Sequence, residues 1–148
     1  MKGIRLNLGC GNDILKGYIN CDKSRLDNQV EEIIIYHTLE HITNFIPLMH
    51  ELHRICKPGA IIKIKTPFYS AWGQFNDPTH VRFFTPYTFE YFKAGNYSHE
   101  VNCNKSMFVI KSKLVFGIGS SAKLNFLFNP LLNLSHKIYC RFFAWIFP

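Results

Sequence analysis

The sequence predicts an α/β fold with a mostly parallel sheet, and three observations carry that prediction. Ile4, Leu6 and Leu8 alternate and run straight into Gly9-Cys10-Gly11, the pattern of a short strand entering a tight glycine turn. Glu32-Ile33-Ile34-Ile35-Tyr36 is a continuous apolar run of the kind found in strands buried on both faces. A helical stripe then separates this run from a second strand-like segment at 60–66, so residues 32–66 read as one strand, helix, strand crossover joining parallel neighbours.

The remaining elements follow from local pattern. Tyr18-Ile19-Asn20-Cys21 reads as a second short strand that ends on Asp22. The helical stripe consists of Phe45, Leu48, Met49, Leu52, Ile55 and Cys56, at offsets 0, 3, 4, 7, 10 and 11. Asn44 is its expected N-cap, Pro47 falls in its first turn, and Lys57-Pro58-Gly59 stops it. Residues 67–84 form a long loop rich in aromatic and polar side chains, and loops of that length in compact domains are usually functional. Thr85-Pro86 caps a short helix running through Lys93 and closed by Gly95, 107–116 reads as a strand, and 117–122 as a flexible turn. Asn129 followed by Pro130 predicts the opening of a last helix, whose Leu131, Leu134, Ile138, Phe142 and Trp145 share one face. No internal repeat or low-complexity segment interrupts this order.

Composition bounds the function. The chain has 148 residues, enough for a single domain over 1–148, and its 47% hydrophobic and 18% charged content excludes a disordered chain. Lys and Arg number 17 against 10 Asp and Glu, and nearly all of the excess lies late, because residues from about 101 onward hold six basic side chains and no acidic one. The same portion carries seven of the 14 Phe together with Tyr139 and Trp145. Such a basic, aromatic segment suits peripheral contact with an anionic membrane. Nucleic acid is not an expected partner, since the chain lacks any recognised binding module. The five cysteines are widely spaced and form no CxxC pair, which favours reduced thiols. With no signal-peptide h-region and no uninterrupted apolar run of the ~18 residues a span needs, a cytoplasmic setting is expected.

The chemistry-bearing residues converge on one place. Glycines at 9 and 11 after a strand let backbone N–H groups approach a ligand closely. The third glycine of a dinucleotide fingerprint is replaced by Ile14, and the acid comes 13 residues after Gly9 instead of about 20, which disfavours that version. A glycine turn with no ligand explains the same residues equally well. Asp22, at a strand end, has the geometry to accept two hydrogen bonds from a ribose diol, or to be a solvated acid. Tyr36-His37 ends the third strand. In one parallel sheet all three would meet at the carboxyl edge, where open α/β folds bind ligands.

These stretches resemble the class I S-adenosylmethionine-dependent methyltransferases, in particular the small type 11-like group. The matching segments are Leu6-Asn7-Leu8-Gly9-Cys10-Gly11-Asn12, Gly17-Tyr18-Ile19-Asn20-Cys21-Asp22 and Tyr36-His37-Thr38-Leu39-Glu40-His41-Ile42. Leu52-His53-Arg54-Ile55-Cys56-Lys57-Pro58-Gly59-Ala60 and Asp77-Pro78-Thr79-His80-Val81-Arg82-Phe83-Phe84 complete the set, which spans residues 4 to about 92. The resemblance implies a Rossmann-like sheet, S-adenosylmethionine held by Gly9, Cys10 and Gly11, Asp22 on its ribose, and Tyr36 and His37 toward its methyl end. Members of the family usually carry a further strand between those of Asp22 and Ile33, where this chain has only residues 23–31, and a final strand that is also absent here. A reduced version of the fold, open beside the adenine, is therefore expected.

The activity implied is methyl transfer to a small or lipid-like acceptor. The sulfonium is already a strong methyl donor, so alignment does most of the work and a general base is optional. His37 and His80 are the candidates for that base. Asp77, His80 and Arg82 are candidates to hold the acceptor, although His80 equally suits loop anchoring and Arg82 equally suits pairing with Asp77. The alternative is a non-catalytic remnant of the fold that docks through its basic tail. His37-x-x-Glu40-His41 also spells the HxxEH of inverted zinc peptidases, but that chemistry needs both histidines on one helical face, and His37 directly follows a strand run. No metal site is expected on that ground. His50, His53, Glu51 and Arg54 read as the solvated face of the 44–57 helix.

Overall fold

A computed structural model describes residues 4–10, 15–21, 29–93, 107, 109, 111–115, 123 and 125–143. Backbone packing divides the chain into two compact units, Met1–Pro67 with Pro78–Arg82, and Phe68–Asp77 with Phe83–Pro148.

The first unit is an all-parallel sheet with its crossover helix. Its strands are β1 (Ile4–Leu8), β2 (Ile19–Cys21), β3 (Val30–Tyr36) and β4 (Cys56–Lys65), in the order β2-β1-β3-β4. Leu6 lies opposite Ile19 on one side and Ile33 on the other, and Ile35 lies opposite Ile64. Ile33, Ile34 and Ile35 are all buried, as the unbroken apolar run requires of a strand covered on both faces. Between β3 and β4 runs α1 (Phe45–Ile55), which turns Phe45, Met49, Leu52 and Ile55 inward. This is an α/β arrangement, and the strand, helix, strand reading of 32–66 holds.

Two local readings need correction. Asn44 precedes α1 but makes no side-chain cap; its Oδ1 instead accepts from the Thr43 hydroxyl at 3.3 Å, so the amide oxygen is spent one residue too early. β4 starts at Cys56, directly after the helix, rather than at residue 60. Cys56 pairs with Val30, yet Ile61 is already opposite Glu32, so Lys57-Pro58-Gly59-Ala60 bows out of the ladder. Pro58 has no N–H to donate to a ladder, and Gly59 adopts φ +83°. The Lys-Pro-Gly signal therefore marks a break within a strand as well as a helix stop.

Polar contacts brace the start of β3. Glu32 accepts from the Tyr18 hydroxyl at 2.5 Å and pairs with Lys63 of β4. The hydrogen bond from Lys63, then that from Tyr18, holds the Glu32 carboxyl below its ordinary range. The bond to Glu32 in turn raises the Tyr18 phenol.

The second unit is built on aromatic contacts. Phe68 and Phe84 form a parallel bridge, and Tyr69 N–H donates to the Phe84 carbonyl at 2.9 Å. The 67–84 segment contains a short helix, α2 (Trp72–Asn76), and Thr88–Phe92 forms a 3-10 turn that buries Phe92. The strand expected at 107–116 is not formed among the described residues. Leu114 instead gives its N–H and C=O to the side-chain amide of Asn133, both at 2.7 Å, so a side chain takes the place of a strand partner.

The last helix also departs from expectation. α3 (Asn125–Leu134) begins four residues before Asn129 and carries Pro130 inside it, not at its first turn; a short helical segment, His136–Ile138, and a π-turn, Tyr139–Phe143, follow. Tyr139 and Leu132 pack with Leu114, Phe68 and Tyr69. Leu131, Leu134 and Ile138 of the expected core face are exposed, because the inward side is set by Leu132, Asn133 and Tyr139. Phe142 and Trp145 lie outside the described side chains, and so does the expected turn at 117–122. No helix among the described residues is long and apolar enough to cross a membrane.

Burial pushes the Cys56 thiol up to about 11, so its nucleophilic thiolate is scarce at neutral pH. The sign for folding is that this contribution is present below the unfolded-state value and lost as pH rises through the folded one. Alkylation at pH 7.5, followed by peptide mass spectrometry, is expected to leave Cys56 unlabelled in the native chain and label it after denaturation. Rapid native labelling would show that the thiol is not shielded.

Candidate functional site

The strand order creates a switch point. From β1 the chain builds outward to β2 on one side, then crosses to β3 on the other, so the segments leaving β1 and β3 diverge at the carboxyl edge of adjacent strands. The residues there are Gly9 and Cys10 after β1, Tyr36 at the end of β3, and His37 after it. Gly9 adopts φ +64°, and a Cβ added to it would fall 2.5 Å from Cγ2 and Oγ1 of Thr38. The glycine is therefore needed by the fold itself, where two strand ends approach closely. Thr38 Oγ1 donates to the Tyr36 carbonyl at 3.0 Å and fixes that approach.

His37 is the one non-glycine residue with positive φ, at 49°, among the described residues. Its N–H donates to the Lys65 carbonyl at 2.8 Å, extending the β3–β4 pairing by one bond as the chain turns away. The left-handed turn leaves Tyr36 and His37 about half exposed, at 47% and 48%. Cys10 is a half-buried free thiol. Gly11 and Asp22, the other two residues assigned to the cofactor, lie outside the described residues.

An interlocked pair of amides supports this edge from below. Buried Asn7 donates from Nδ2 to Asn20 Oδ1 at 2.8 Å, and Asn20 in turn bonds the backbone of Leu15 and Tyr18. The two residues are register partners on β1 and β2. They tie the segment that follows the glycine turn to the sheet, a role for which an Asn between two leucines was the visible signal.

Glu40 is the second focus. It sits in a 3-10 turn, Leu39–His41, and is fully buried. Its carbonyl accepts from Val81 N–H at 2.8 Å and Arg82 N–H at 3.2 Å, and its Oε2 accepts from Thr66 Oγ1 at 3.3 Å. His37 Nδ1 stands 3.5 Å from Oε1, which has no hydrogen-bond partner. Beside it, His41 Nδ1 is 2.8 Å from Thr79 Oγ1, and the rings of His41 and His80 meet edge-on at 4.7 Å. One carboxylate oxygen of Glu40 and one nitrogen of each of His41 and His80 lie within 4.8 Å of one another.

The structure thus brings His80 to Glu40 and His41, while His37 stands 3.5 Å from Oε1 of the same carboxylate. The peptidase arrangement, with His37 and His41 as the paired ligands and Glu40 as the base between them, is not the grouping that forms. Arg82 has a defined structural use. Its guanidinium donates to the carbonyls of Ile42, at 2.7 Å, and Thr43, and lies over the Phe45 ring, clamping the entry to α1. Asp77 belongs to the second unit, at the end of α2.

Comparison of the chain with protein-family models, with curated proteins and with solved structures returns no match.

Gly9→Ala is expected to destabilise the chain by about 1–3 kcal/mol, through left-handed strain together with overlap on Thr38. Urea unfolding of the two proteins measures it. A Thr38→Ala change in the same background should recover part of the loss; no loss in the single variant would show that the two strand ends do not meet this closely.

Proposed function

We propose that the chain is an S-adenosylmethionine-dependent methyltransferase on a reduced Rossmann-like sheet, acting on a small or membrane-associated acceptor in a cytoplasmic setting. The observation that supports it most is the convergence of Gly9-Cys10 and Tyr36-His37 at the switch point of a parallel sheet, the position at which open α/β folds bind ligands. The ordered motifs of residues 4 to about 92 give that position its chemical identity. The half-exposed Tyr36 and His37 fit a ligand at this edge, offering ring surface and one polar atom each.

When bound, S-adenosylmethionine supplies a methyl group on a sulfonium already activated toward attack. In this reading the Gly9–Gly11 turn and Cys10 hold it through backbone N–H groups, and Asp22 accepts from its ribose. Tyr36 and His37 border the methyl end and exclude water from one side. Where the acceptor is an oxygen or nitrogen acid, His37 takes the proton, and Glu40, 3.5 Å from its Nδ1, is a positioning residue that orients the ring. The short stretch of residues 23–31 leaves little chain to cover the adenine, so affinity rests on the ribose and glycine-turn contacts.

Calorimetric titration with S-adenosylmethionine and with its demethylated product tests the proposal. Saturable binding is expected, weakened at least about tenfold in Asp22→Ala, the loss expected for a charged hydrogen-bonding partner. Absence of binding at millimolar ligand, in a chain shown by circular dichroism to be folded, removes the cofactor.

A second reading, a non-catalytic remnant that docks on an anionic membrane, is favoured by one observation. Phe126 and Leu134 of α3 are 80% and 84% exposed, Leu127 and Leu131 are exposed to a lesser degree, and Lys123 and Lys137 flank the helix. An apolar helical face edged by lysines is the pattern of interfacial binding. Co-sedimentation with phosphatidylserine-containing vesicles should be salt-sensitive and fall several-fold in a Phe126→Ser, Leu134→Ser double variant. Equal sedimentation with and without vesicles sinks this reading.

A further inference from the structure

Glu40 has no exposed surface, yet it carries a carboxylate whose Oε1 meets no hydrogen-bond donor. An ionised carboxylate in such a place is unfavourable unless a positive charge or a full set of donors matches it. Thr66 supplies one hydroxyl, to Oε2, and His37 stands 3.5 Å from Oε1 without completing a bond. The groups gathered around it are the imidazoles of His41 and His80.

We propose that Glu40, His41 and His80 bind a divalent transition-metal ion, zinc being the ion their chemistry fits. Two imidazole nitrogens and one carboxylate oxygen make the His-His-Glu donor set of open zinc sites. Magnesium and calcium favour all-oxygen sets, so they are disfavoured here. The three donor atoms lie within 4.8 Å of one another, against about 3.3 Å around tetrahedral zinc with bonds near 2.0–2.1 Å. Rotation of the two imidazoles supplies the difference.

The surroundings have the form of a supporting shell. Thr79 Oγ1 lies 2.8 Å from His41 Nδ1, and Thr66 Oγ1 donates to Oε2 of Glu40, partners of the kind that orient metal-binding side chains. The segment bearing His80 is tied to the Glu40 carbonyl by Val81 and Arg82 N–H, while the Arg82 guanidinium fixes Ile42 and Thr43. All three donors thus stand on backbone already hydrogen-bonded in place, so binding need not first order a loop. With three protein donors the fourth position is open to a water or to one oxygen of a small ligand. A metal-bound His80 has no lone pair left for a proton, which assigns proton transfer, where needed, to His37. The site does not depend on the cofactor reading.

Equilibrium dialysis of the chelator-stripped full chain against zinc chloride, with the metal counted by mass spectrometry, tests the proposal. One equivalent is expected, with affinity at least tenfold lower in His80→Ala and in His41→Ala, and a zinc-dependent rise in melting temperature lost in both. Glu40→Gln removes the buried charge and is informative only where circular dichroism shows it folded; His80→Ala, on a half-buried segment, keeps the test open. Zinc uptake unchanged in a folded His41→Ala, His80→Ala double variant, no uptake by the wild-type chain, or preferential retention of magnesium would each overturn it.

Discussion

The first unit depends on keeping a carboxylate out of water at the end of β3. Glu40 is placed there by a 3-10 turn that follows the strand after only His37 and Thr38, and its main chain and side chain bind in different directions. The carbonyl collects the 78–82 segment, the carboxylate reaches Thr66 beyond β4, and His37 approaches from the strand end. A residue of this type cannot be exchanged for an apolar one without taking from the Thr66 hydroxyl its acceptor. The 3-10 turn, the 78–82 segment and the end of β4 are thus held together through one buried polar residue, beside a core that is otherwise mostly aliphatic.

What the sequence made legible was whatever depends on periodicity. The isoleucine run of β3, the stripe of α1 and the alternation of β1 each report burial of a repeating face, and each stands within two residues of its expected bounds. Elements fixed by a single polar side chain were not legible. Asn133 takes the backbone of Leu114 away from any strand, and Asn44 lends its oxygen to Thr43 instead of the helix. In each case local propensity lost to a contact whose partner is distant or unusual, which no pattern along the chain reports.

The candidate site divides in the same way. Gly9, Tyr36 and His37 were readable because a strand must end where its side chains change character. The grouping of Glu40 and His41 with His80 was not, since it requires a segment some 40 residues away to return to the 3-10 turn. The HxxEH spelling flagged the right neighbourhood through the wrong geometry: a strand end followed by a tight turn separates His37 from His41, where a regular helix would have stacked them.

The outward bow at Lys57-Pro58-Gly59-Ala60 has a bearing on solubility. Among the described residues β4 closes one side of the sheet, and a strand in that position offers unpaired N–H and C=O groups to any passing chain. Here the first half of the strand is bent by the bow, and Pro58 within it has no N–H to offer. A second molecule brought alongside would find straight backbone only over Ile61–Lys65, so the bow halves the length of edge on which an extended sheet could grow.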